Sequence, residues 1–278
     1  MGRNDAAITM SGGSVTDNEA GLGGGIGLYN GASLEMSGGE IARNAARDKY
    51  HMSASHAAGG GVFLGQSTSM TFSGGTIAQN RSDLYGGGVS LGGYTSNTIG
   101  YDKERKASLH MTGGVIDRNS ASANGGGIFL QANTKAAISA GSITNNEVRG
   151  AKAAPLAGGG IYVSSGPHAG LDCGELTVSH ALVTENRARL SGGGIGGGGA
   201  SFTMSRPGNG AAIYGNDAPA AHDVLIDPAI GFGGGAGIGH RAYFSHYMPG
   251  GGEARWLRDG TEIYQGPEDN GTDRKSVV

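Results

Sequence analysis

Six asparagines recur at the last position of a nine-residue block, and their spacing points to chemistry more directly than that of any other residues in the chain. The blocks are MSGGSVTDN at 10–18, MSGGEIARN at 36–44, FSGGTIAQN at 72–80, MTGGVIDRN at 111–119, ISAGSITNN at 138–146 and VSHALVTEN at 178–186. A carboxamide carries both a donor and an acceptor, so an asparagine can bond to its counterpart one repeat away and build a ladder. It also tolerates the left-handed backbone that a corner requires. Asn18, Asn44, Asn80, Asn119, Asn146 and Asn186 are therefore the expected structural ladder.

Other reactive side chains are scattered. Polysaccharide hydrolysis needs two carboxylates at a set separation. The positions just before the asparagines hold Asp17, Arg43, Gln79, Arg118, Asn145 and Glu185, a mixed set in which the two acids stand about five repeats apart. His51 and His56 lack a third ligand at fixed spacing, so no metal site is expected. The single cysteine, Cys173, sits beside Asp172 and Glu175, and acids disfavour the thiolate. His240 and Arg241 fall past the repeats and read as surface residues. No catalytic residue and no cofactor are expected. The candidate ligand loop is an insertion at 92–108 that carries Tyr94, Tyr101, Asp102, Lys103, Glu104, Arg105 and Lys106.

The elements that position these residues follow from a second block that alternates with the first. Triple glycines start at Gly23, Gly59, Gly86, Gly125, Gly158 and Gly192, each followed by Ile or Val. The least decorated repeat spans about 26 residues from Met10 to Met36, and longer spacings are that unit plus an insertion. Apolar residues come in pairs two apart, as in Leu34 and Met36 or Ile128 and Leu130, which is strand periodicity. A lone inward residue (Ile41, Ile77, Ile116, Ile143 or Val183) lies between the pairs. Three short strands per unit, separated by glycine or asparagine corners, predict an all-β, right-handed parallel β-helix solenoid of about seven coils. Besides 92–108, insertions fall at 45–58, 147–157 and 164–176, so they leave from two corners only. The first of them holds Arg47, Lys49 and Tyr50 as well as the two histidines.

Composition narrows the partners. A net charge of −3 implies no nucleic acid, and no apolar run reaches the length of a membrane-spanning helix. The 58 glycines stand at fixed offsets from apolar residues without a Gly-x-y triplet, which excludes collagen.

The pattern [IV]-x-x-N followed by G-G-G-[IV] resembles the paired repeats of the polymorphic outer-membrane proteins, which are autotransporter adhesins of bacteria. It is also similar to the broader group of right-handed, pectin-lyase-like β-helix surface proteins. The resemblance covers roughly residues 8–220, with Ile or Val in place of Phe and a third glycine in place of Ala. It implies a secreted or bacterial cell-surface location and a non-catalytic, adhesin-like function. The expected partner is a protein or glycan ligand on a host or neighbouring cell, met by corner loops. The alternative is a polysaccharide-binding or polysaccharide-degrading β-helix that uses a shallow groove along one sheet.

Residues 1–222 are expected to form the repeat domain, starting inside a repeat. Residues 223–266, with Trp256 and most of the late aromatics, would form a C-terminal cap or the start of a following domain. Residues 267–278 read as a disordered tail. One back-translation of its last six, DRKSVV, reads like a sequencing adapter followed by a stop, so 273–278 are expected to be artefactual.

Overall fold

In the computed structural model the described residues are 6–48, 57–92, 106–150, 156–164, 174–197, 201–204, 212–219 and 223–226. Five two-residue strands between 243 and 262 are also described, by their backbone. These residues are all strand, turn and bend, with no helix. Alternating apolar residues cut by glycine every few positions leave no stretch that could cover a helical face.

Three parallel sheets carry the fold. The first has eleven strands, among them Ala7–Thr16, Ser33–Ala42, Ala107–Asp117 and Thr134–Thr144. The second has seven, from Ile26–Leu28 through Ile128–Leu130 to Val224–Ile226. The third has five, each of two residues: Glu19–Ala20, Ala45–Ala46, Arg81–Ser82, Ser120–Ala121 and Glu147–Val148. Each strand pairs with its equivalent one repeat away, for example Leu109 with Ala136 and Ile128 with Ile161. This arrangement is that of stacked parallel sheets and is compatible with a parallel β-helix solenoid. Tyr243–Phe244 continues the first sheet in parallel, and two small antiparallel pairs follow it.

The inward residues form one continuous core. Leu34, Met36, Ile41, Val62, Leu64, Phe72, Ile116, Ile128 and Leu130 are among its members, each essentially without exposed surface. Each such side chain stabilises the fold by about 1.5–3 kcal/mol relative to exposure.

Three features differ from the sequence reading. The glycine pair of the nine-residue block is usually not a corner: Ala107–Asp117 runs straight through Gly113–Gly114, with a register shift there. Residues before and after that bulge thus share one sheet. The third sheet comes from the two residues after each asparagine, which hold a single inward side chain and so carry no alternation to read. Finally, the left-handed residue is the one before the asparagine. Asp17, Arg43, Gln79, Arg118, Asn145 and Glu185 have φ between 50° and 61°.

A second, smaller core covers the outer side of the second sheet. Its members are Ala58, Phe63, Tyr85, Ala123, Phe129, Ala157 and Tyr162. Tyr85 stacks on Phe129 at 4.7 Å, and Phe129 on Tyr162 at 5.8 Å. Within a coil the residue before the triple glycine and the middle residue of the following strand alternate in size: Ala58 with Phe63, Tyr85 with Ser90, Ala157 with Tyr162. Burial, together with Tyr85 nearby, pushes the Tyr162 phenol well above its ordinary range.

Candidate ligand-contact corner

Two corners of the coil have opposite characters, and the asparagine corner explains why the scaffold is rigid. Asn80, Asn119 and Asn146 each donate twice, from the backbone N–H and from Nδ2, to Oδ1 of the next asparagine at 2.9–3.0 Å. Asn18, Asn44 and Asn186 repeat the pattern, and Asn186 donates to Asn216. The second Nδ2 hydrogen goes back to the preceding coil, as from Asn119 to the Ile77 carbonyl at 2.9 Å. The buried amides are thereby satisfied on both sides, as interior polar groups must be.

The triple glycine fits over this ladder, and each of its members does a different job. Gly125 has φ 67°, a left-handed turn. A Cβ on Gly126 would stand 2.6 Å from the Glu147 nitrogen, and one on Gly127 would stand 2.7 Å from the Gly160 oxygen and 3.0 Å from Asn146 Cγ. Backbone approaches of this kind leave no room for a side chain.

The second corner follows the strands of the second sheet. Gly92, Gln131 and Ser164 stack there, each donating its N–H to the preceding coil at 2.8–3.0 Å. In one coil the chain turns straight back through 131–133 into Thr134–Thr144. In the coils on either side it passes through 93–105 or 165–173, which lie outside the described residues, and returns at Lys106 or Gly174. The described ends of the two insertions therefore stand in the coils on either side of one short turn. That turn is held by Thr134 Oγ1 donating to the Gln131 carbonyl at 2.6 Å, with Asn133 left-handed at φ 59°. Gln131, Ala132, Asn133 and Thr134 are all buried, whereas Tyr29 and Asn30 at the equivalent turn are exposed. Asn133 Oδ1 is buried without a hydrogen-bond partner.

One carboxylate joins the returning ends of both insertions. Lys106 Nζ lies 3.1 Å from Glu175 Oε1, and Lys135, from the short coil between, lies 3.7 Å from Oε2. Lys135 and Glu175 are register partners in the first sheet. All three side chains are more than a third exposed, so each pair contributes less than about 1 kcal/mol. Lys135 and Glu175 belong to a register column that otherwise reads Ala7, Ser33, Ser69, Ser108 and Ser201, with Lys106 two residues before Ser108, and the replacement of serine by long charged residues was the available signal.

The ligand-loop residues Tyr94, Tyr101, Asp102, Lys103, Glu104 and Arg105 lie outside the described residues, as do Cys173, His51, His56, His240 and Arg241. The remaining two insertions leave from a different place, between the third sheet and the triple glycine, re-entering at Ala57 and Leu156. Among the described residues, one outward register column of the first sheet carries Thr9, Glu35, Thr71, His110, Ala137 and Thr177, with no Trp, Tyr or Phe in it on which a sugar ring could stack. Among the described residues no three His, Cys, Asp or Glu side chains are grouped to hold a metal ion, and no helix is long and apolar enough to cross a membrane. Comparison with protein-family models, curated proteins and solved structures gives no match to the chain.

Proposed function

We propose that the chain is a non-catalytic, right-handed parallel β-helix of about seven coils that displays corner insertions for ligand contact at a bacterial cell surface or in the extracellular space. The observation that carries this reading is the position of the ends of two insertions, Gly92 with Lys106 and Ser164 with Gly174, in the coils on either side of the buried turn 131–133. Insertions at one corner of a solenoid can change without disturbing stacked strands, and such loops carry recognition more often than the scaffold does. The ladder and the glycine packing account for the inward and corner positions in structural terms, leaving the insertions as the variable material. The kinship with pectin-lyase-like or polymorphic outer-membrane proteins remains part of this proposal, resting on the repeat pattern of the sequence.

The test is a glycan array and a polysaccharide-hydrolysis screen on the purified chain, beside a variant in which 93–105 is replaced by a turn copied from 131–133. Binding without turnover, lost in the trimmed variant, is the expected result. Release of reducing or unsaturated sugar overturns it in favour of a polysaccharide-degrading enzyme. Absence of glycan binding moves the ligand to the protein class.

A further inference from the structure

The outer faces of the three sheets differ in chemistry. The first is rich in serine and threonine, such as Ser69, Thr71 and Thr177, and the second is covered by the small aromatic core. The third carries arginine. Around each ladder asparagine the side chains alternate in and out, so the positions one before, one after and three after it point outward. Every arginine described in the coils occupies one of these positions. Arg43 and Arg47 stand around Asn44, Arg81 follows Asn80, Arg118 precedes Asn119, Arg149 follows Asn146, and Arg187 and Arg189 follow Asn186. Five successive coils thus present guanidinium groups along a stripe about 20 Å long, at one strand spacing per coil. The lysines described, Lys106 and Lys135, lie at the first sheet instead.

Solubility is served by lysine as well as by arginine, whereas a guanidinium suits a planar anion held by two N–H groups at once. The local partners leave donors over. Arg118 lies 2.7 Å from Asp117, Arg149 2.6 Å from Glu147 and Arg187 3.3 Å from Asp217, while Arg81 stays 3.8 Å from Asp83. Each guanidinium has five N–H donors, more than one carboxylate can take. Arg189 has no ion pair among the described residues and is exposed. The other four side chains are 60–68% exposed, so water is all that covers their free donors among the described residues.

We infer that the outer face of the third sheet, centred on Arg81, Arg118, Arg149 and Arg187, is a docking surface for a linear anionic glycan whose sugars bear carboxylate or sulfate groups. The guanidinium groups take the anions, one coil after another. Asp83, Glu147 and Glu185, which stand among the arginines, accept hydrogen bonds from ring hydroxyls, so a ligand that carries both anions and hydroxyls matches the mixed face. The same acids disfavour nucleic acid, because they repel a duplex backbone with one charge per about 1.7 Å of axis. None of the outward positions is aromatic, so bases have no ring to stack on. An acidic peptide would meet the same repulsion without hydroxyls to offset it. This surface is separate from the insertion corner and adds a second contact face to the function proposed above.

The experiment is titration calorimetry on the full chain with four probes: a heparin oligosaccharide, an oligogalacturonate, a neutral dextran oligosaccharide and an oligothymidylate. Saturable, salt-sensitive binding of at least one acidic oligosaccharide is expected, with none of dextran, and the two acidic probes separate sulfate from carboxylate. Arg118→Gln combined with Arg149→Gln should weaken that binding at least about tenfold, with an unchanged circular dichroism spectrum because both side chains are exposed. Arg118→Lys combined with Arg149→Lys keeps the charge but loses the fork, and it should still weaken binding about threefold or more. Binding of neither acidic probe overturns the inference, as does binding indifferent to the glutamine pair. Full retention by the lysine pair leaves only general charge attraction and also overturns it. Tighter binding of oligothymidylate reassigns the face to nucleic acid. Loss of glycan binding on trimming 93–105, with none on the arginine substitutions, would place the contact at the insertion corner and overturn this inference while leaving the proposed function standing.

Discussion

Asn119 and Asn133 stand in the same coil, and both are buried, yet the two corners they occupy have opposite designs. Asn119 accepts two hydrogen bonds through Oδ1 and donates three, to Asn146 Oδ1 from N–H and Nδ2 and to the Ile77 carbonyl from Nδ2. Asn133 has a left-handed backbone and an Oδ1 with no partner. At the first corner every coil repeats the same residue, because each amide completes its neighbour. At the second corner the neighbouring coils carry insertions, and Asn133 Oδ1 has no hydrogen-bond partner. A solenoid is fixed in sequence where side chains bond from coil to coil and free where they do not. The predictions below test that contrast.

The largest effect is expected from Gly126→Ala. Its Cβ would be driven into the backbone of the next coil at Glu147 and Gly159, where no flexible side chain can give way. Destabilisation above about 3 kcal/mol is expected in urea denaturation. A loss below about 1 kcal/mol would mean the coils can separate locally, and the asparagine corner would not be the rigid one.

Asn119→Ala comes next. It leaves the N–H and Nδ2 of Asn80 without their acceptor and takes the Nδ2 donor from Asn146 Oδ1 and the Ile77 carbonyl, while the backbone N–H at 119 still reaches Asn146, all in buried surroundings. The expected cost is about 2–3 kcal/mol. Asn18→Ala removes donors at an exposed end of the same ladder and should cost less than about 1 kcal/mol. Equal melting shifts for the two variants would show that ladder position does not matter.

How much of this was legible in sequence differs between the two corners. The asparagines and triple glycines hold fixed offsets, because hydrogen-bond geometry ties each residue to its copy, so the repeat could be read directly. The third sheet could not, since strands such as Ser120–Ala121 hold one inward residue each. The left-handed residue was misplaced by one position. A local rule favours asparagine in that conformation, but here its side chain is committed to the ladder, and Arg118 or Gln79 bends the backbone instead. The second core was missed because Phe63, Phe129 and Tyr162 alternate with inward residues, a pattern that reads as solvent-facing. The Lys106, Lys135 and Glu175 cluster needs register across three coils, which single-sequence spacing blurs once insertions of unequal length intervene.

The opposite sign is expected at the second corner. Asn133→Gly removes an unpartnered buried oxygen and suits the left-handed backbone, so it should raise stability by about 0.5–1 kcal/mol. Chemical denaturation at constant m-value measures it. A loss as large as that of Asn119→Ala would show that Asn133 is bonded in solution and that the two corners are alike.

The smallest shift is expected from Glu175→Gln. The carboxylate serves two lysines, but all three side chains are well exposed, and ion pairs in that setting are weakened by water and screened by salt. The fold should therefore lose less than about 0.5 kcal/mol, a melting shift below about 2 °C. The local consequence is different in kind. Glu175 ties the returning end of 165–173 to that of 93–105 through Lys106, so its neutralisation should speed amide exchange at Lys106 and Ala107 while leaving Asn119 and Ser120 unchanged. High salt should reproduce this in the unsubstituted chain and add nothing in the variant. If exchange quickened equally at both corners, the clasp would belong to the common scaffold rather than to the insertions. If it quickened at neither, the roots of the insertions would be held by strand pairing rather than by the ion cluster.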